Sequence, residues 1–104
     1  MELTKDADKM ICCIYKTFLQ RRKDGINKSQ AAQFEDTYFS TDNKLSSWPY
    51  GDISDTLFEI NKKKLVKSNI CGGFKLTDNG IFYMENRFKN GLSEVIDFLS
   101  KLIP

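Results

Sequence analysis

The sequence predicts a mainly α-helical domain carrying one two-stranded β-hairpin, an α+β fold. Three observations carry that reading. Apolar residues recur at helical spacing over residues 4–22, 53–60 and 81–103. A double glycine at 72–73 sits between two short runs of alternating residues, as at a hairpin tip. Ser, Asn, Asp, Gly and Pro cluster between these segments. A length of 104 residues suits one domain with one modest core.

The first helix is expected over 4–22. Thr4 can cap it, Asp6 and Asp8 suit its positive end, and Arg21, Arg22 and Lys23 its negative end. Ala7, Ile11, Ile14, Tyr15 and Phe18 form its apolar stripe, and Asp24-Gly25 stops it. A short second helix then starts, with Ser29 as N-cap, and runs to Phe34 or Tyr38. The segment STDNKLSSWP reads as a loop. Pro49 fits the first turn of a third helix, which should turn Ile53, Leu57, Phe58 and Ile60 inward and end near Lys62–Lys64.

The hairpin register is set by which pairing gathers the apolar residues on one face. A loop of Cys71-Gly72-Gly73 pairs Ile70 with Phe74 and Ser68 with Leu76, and puts Val66 on the same side. The other face then shows Lys67, Asn69, Lys75 and Thr77. Thr77 caps the next helix, with Ile81, Met84 and Phe88 on one face. Lys89-Asn90-Gly91 kinks or breaks that helix. Leu92, Val95, Ile96, Leu99, Leu102 and Ile103 follow as a broad apolar stripe. Residues 1–88 thus read as the main domain and 89–104 as a terminal helix whose stripe either packs back on the first helix or, the preferred reading, packs against a second copy to make a homodimer.

The segments ISDTLFEINKKKLVKS and KLTDNGIFYME, with the glycine-tipped hairpin between them, resemble the winged helix-turn-helix superfamily, in particular small bacterial regulators of the MarR and PadR type. The element order matches over residues 4–88 and the motifs over about 53–84. The resemblance implies a winged helix-turn-helix with an extra C-terminal helix, acting as a transcriptional regulator on double-stranded DNA. It implies a third helix in the major groove, with Ser47, Tyr50, Ser54, Asp55 and Lys62 as contacts. It also implies a wing on the phosphates, with Lys67, Asn69, Gly72, Gly73 and Lys75.

Lys62, Lys63, Lys64, Lys67 and Lys75 form a basic cluster around the helix end and the hairpin. The net charge of +2 is mild, so any footprint for a polyanion must come from such clustering. The third helix also carries Asp52, Asp55 and Glu59 and no arginine. Phosphates repel carboxylates, and arginine makes the commonest specific base contact. The alternative reading is therefore a winged-helix module for protein contact, using the terminal helix and the Trp48–Tyr50 loop.

Other functions find little footing. The chain has no histidine, the commonest general base, and no phosphate-loop or Cys/His metal motif, so neither an enzyme nor a cofactor is expected. Cys12, Cys13 and Cys71 could sense thiols, but adjacent cysteines on a helix diverge by about 100° and chelate one ion poorly; core filling is the simpler role. The opening MELTKDADKM does not read as a signal peptide, so none is expected, and no apolar run is long enough to cross a bilayer. Free thiols suit a reducing compartment, so a cytoplasmic protein with no membrane contact is expected.

Overall fold

A computed structural model describes residues 1–102; Ile103 and Pro104 lie outside the described residues, and with them one member of the terminal stripe. In chain order the elements are α1 (Lys5–Lys23), α2 (Lys28–Ala31), β1 (Gln33–Phe34), α3 (Tyr38–Thr41), α4 (Tyr50–Lys62), β2 (Val66–Ser68), β3 (Phe74–Leu76), α5 (Asp78–Arg87) and α6 (Leu92–Ser100). The strands form one antiparallel sheet in the order β1-β3-β2.

α1 is the centre of the molecule and packs against α2, α4, α5 and α6. Six consecutive residues, Met10 to Tyr15, are buried, so its wall extends well beyond the expected stripe and takes in both Cys12 and Cys13. Thr4 caps it by accepting from the Ala7 N–H at 3.2 Å. Gly25, at φ +90°, lets the chain fold back so that the Ile26 N–H reaches the Arg21 carbonyl at 3.0 Å.

The segment after α1 departs from expectation. Asn27, not Ser29, caps α2, accepting from the Gln30 N–H at 2.9 Å. The helix ends after one turn because Gln33 and Phe34 are drawn into the sheet as β1, opposite Lys75 and Phe74. Arg21 holds this turn in place. Its Nη1 donates to the Ala31 and Gln33 carbonyls at 3.1 and 2.7 Å, and its guanidinium lies 4.3 Å from the centre of the Phe34 ring. Arg21 therefore acts as a clamp in addition to balancing the helix end. The expected loop before Pro49 contains the short α3 and a turn built on Asp42. That buried carboxylate accepts from the Tyr38 hydroxyl and from the Lys44 and Leu45 N–H groups, at 3.1, 2.9 and 2.9 Å.

The hairpin register differs from the expected one. Val66 faces Leu76, Lys67 faces Lys75 and Ser68 faces Phe74. The three-residue loop is Ile70-Cys71-Gly72, closed by the Asn69 N–H on the Gly73 carbonyl at 3.0 Å. The slip is two residues, which preserves the faces, so Val66, Phe74 and Leu76 are all buried as expected. Ile70 alone changes place, from the core to the fully exposed tip. Gly73 explains the slip: with φ +74°, a Cβ there would stand 2.4 Å from the Phe34 carbonyl, so β1 fixes which glycine lies against it.

Thr77 caps α5 and also donates from its hydroxyl, within 2.7 and 2.9 Å of the Lys64 and Leu65 carbonyls. Gly80 lets α5 close onto the start of β2, where a Cβ would meet the Leu65 carbonyl at 2.2 Å. The break expected at 89–91 is present between α5 and α6. α6 then folds back on α1, and Val95 and Leu99 are buried in the same core as α1. Those two residues are thus withdrawn from any contact with a second copy. Leu92 and Leu102 are half-buried, and Ile96 is 44% exposed. No helix among the described residues is long and apolar enough to cross a membrane.

Candidate nucleic-acid interface

α4 and the hairpin lie side by side. A hollow of about 170 Å³ between them is lined by Tyr50, Ser54 and Leu57 from α4 and by Gly73 and Phe74 from the hairpin. The sequence places α4 at the surface. Ile53, Thr56 and Ile60 turn inward, spaced three and four apart. Gly51, Ser54, Asp55, Phe58 and Lys62 then share the opposite face, and all five are exposed.

Phe58 was expected in the core and instead stands 63% exposed in the middle of that face. The signal was Thr56. Counted as a core position, it completes the stripe with Ile53 and Ile60 and leaves Phe58 outside. Lys62, one turn further on, holds its ammonium 5.6 Å from the Phe58 ring centre. Pro49 is the residue before the helix rather than in its first turn, and its carbonyl accepts from the Asp52 N–H at 3.0 Å.

The carboxylates of α4 do not act together. Glu59 turns toward the start of α1, where it accepts from the Thr4 backbone N–H at 3.1 Å and the Thr4 hydroxyl at 2.7 Å. Asp52, seven residues earlier, shares that side by helical spacing. Asp55 alone stays on the outward face.

The C-terminal end of α4 is basic, with Lys62, Lys63 and Lys64 all exposed. Lys64 adopts φ 64°, the left-handed conformation that ends the helix and turns the chain into β2. Its carbonyl accepts from Thr77 and, at 3.3 Å, from Asn79 Nδ2, so the turn is anchored to α5.

The hairpin's outer face carries Lys67 directly opposite Lys75, with Gln33 of β1 next in line. Asn69 reaches Gln33 Oε1 at 3.5 Å. Gln33 carried no sequence signal, since β1 exists only through its pairing with β3. The inner face is an aromatic stack, with Phe34 and Phe74 rings 5.0 Å apart and Phe39 5.4 Å from Phe74.

The expected contact residues therefore divide. Ser54, Asp55 and Lys62 share one face of α4, and Lys67, Asn69 and Lys75 one face of the sheet. Tyr50 is 86% exposed at the helix start. Gly72 is exposed at the tip, whereas Gly73 is partly covered and has its role against β1. Ser47 is exposed in the loop before α4. Trp48 is half-buried against the core, with the Lys9 ammonium 6.0 Å from its ring.

Among the described residues no three His, Cys, Asp or Glu side chains converge as metal ligands. Cys12 and Cys13 are buried, and desolvation pushes both thiols up to about 12, which leaves them protonated and unreactive at neutral pH. Cys71 is exposed beside the hairpin tip. No known family, curated protein or solved structure matches the chain.

Proposed function

We propose that the chain is a winged-helix protein that binds double-stranded DNA and regulates transcription, with α4 in the major groove and the hairpin on the phosphate backbone. The element order and the β1-β3-β2 sheet support the winged-helix reading. The observation that carries the binding function is the pairing of Lys67 with Lys75. Like charges directly opposite on a sheet destabilise it. A bound phosphate chain reverses that penalty, and both lysines are exposed on the outer face of the sheet.

Titration of duplex DNA at several salt concentrations tests this. The affinity should fall steeply with salt, and the Lys67→Ala/Lys75→Ala variant should lower the log–log slope by about two while leaving the fold at least as stable as before. No binding to duplex DNA even at low salt sinks the reading.

A dimer belongs to the same proposal, because paired recognition helices would engage paired half-sites. With Val95 and Leu99 buried, it would rest on Ile96 and the flanks of Leu92 and Leu102. Light scattering of the full chain decides it, and a monomer at working concentrations ends it.

A second reading, a module for protein contact, is favoured by the apolar hollows around Phe39 and Tyr50. One is the 170 Å³ hollow; the other, about 240 Å³, is lined by Leu45, Trp48 and Ile53 as well.

A further inference from the structure

Phe58 raises a problem that the core does not solve. A phenyl ring 63% exposed in the middle of a helix face adds little to folding. It stands between Ser54 and Asp55 on one turn and Lys62 on the next. The five exposed residues of that face include no arginine, glutamine or asparagine, the side chains that read purines through paired hydrogen bonds, and Asn61, half-buried, lies at its flank. Its largest surface is apolar.

The major groove offers one apolar group among the base edges, the C5-methyl of thymine. We infer that Phe58 is a specificity-determining residue that packs on thymine methyl groups, so that the chain prefers sites with thymine at the centre of the α4 footprint. This rests on the DNA-binding reading above. Charge complementarity selects the occupant: on its own helix the ring is followed by Lys62, Lys63 and Lys64, all exposed, a setting suited to a polyanion. Lys62, stacked 5.6 Å from the ring centre, holds the ring's orientation and brings a phosphate-seeking charge beside it.

The test uses the full chain and two short duplexes of alternating A·T pairs. One contains thymine, and the other contains deoxyuracil in every thymine position, so the two differ in sequence chemistry only by the methyl. The chain should bind the thymine duplex more tightly, by about fourfold for each methyl that is packed. Phe58→Ala should bind both duplexes alike, near the affinity of the unaltered chain for the uracil duplex. Lys67→Ala/Lys75→Ala should weaken both equally and keep the preference.

Equal affinity of the unaltered chain for the two duplexes overturns the inference and leaves DNA binding standing. A preference that survives in Phe58→Ala also overturns it, because the methyl is then read elsewhere. Failure to bind either duplex at low salt removes the DNA-binding reading itself.

Discussion

α1 and α4 are both amphipathic in sequence, yet they occupy opposite positions in the molecule. α1 is enclosed by four other helices and buries six residues in succession. α4 buries only Ile53, Thr56 and Ile60 and leaves a full face open. The contrast shows where function can reside. Between Ala7 and Leu19, α1 has no exposed residue, so it offers little surface, and even its thiols are inert. A helix at the edge can keep a polar or aromatic face without cost to the core.

The largest effect expected from this contrast is in α1. Ile11→Ala opens a cavity where neighbours from several helices meet, and should cost about 2–5 kcal/mol by chemical denaturation. A cost below about 1 kcal/mol would show that the site collapses readily and that Ile11 is not closely packed by its neighbours.

The buried thiols give the next effect. Unfolded cysteines ionise near 9, while Cys12 and Cys13 are held to about 12 by burial. Between those values the unfolded chain sheds protons that the native chain keeps, so stability is full below pH 9 and falls as pH rises toward 12. Burial raises Tyr38 as well, adding to the same slope. Cys12→Ala/Cys13→Ala should flatten the decline. A thiol reagent at neutral pH should label Cys71 promptly and the other two only on unfolding. Three equally fast thiols would contradict the enclosure of α1.

The same contrast explains what the sequence could disclose. α1 was legible because its caps, charges and apolar spacing all agree, and long periodic helices carry the strongest signal. Within the hairpin, alternation decides which residues face inward, so Val66, Phe74 and Leu76 could be placed despite a two-residue slip. The slip itself depends on β1, and β1 on partners far along the chain: Gln33-Phe34 becomes a strand only because Phe74 and Lys75 lie alongside. Phe58 misled because hydrophobicity alone suggested the core, whereas Thr56 completes the buried stripe. Residue types named the basic cluster, but only the register sets Lys67 against Lys75. Likewise, Glu59 reads as a negative charge on the third helix until its distant partner Thr4 is known.

That partner supports a smaller prediction. Thr4→Ala removes both the cap on the Ala7 N–H and the hydroxyl bond to Glu59. The stability loss should be about 0.5–2 kcal/mol. Thr4→Ser, which retains the hydroxyl, should recover most of it. If serine gives no recovery, the link between the start of α1 and α4 is not made through the hydroxyl.

The smallest expected effect is the sharpest test, because both its sites lie on one helix. Phe58 and Ile60 are two residues apart and both large and apolar, yet one is 63% exposed and the other fully buried. Ile60→Ala should destabilise by about 2–5 kcal/mol. Phe58→Ala should change stability by no more than about 0.5 kcal/mol, as for an ordinary surface position. Removing the larger side chain should therefore have the smaller effect, the reverse of what side-chain size alone implies. A matching loss at Phe58 would mean that the ring is covered in solution, and the outward face of α4 would then be an interface between copies of the chain. In that event α4 could not enter a groove of DNA without first shedding its cover, and the thymine preference would disappear with it.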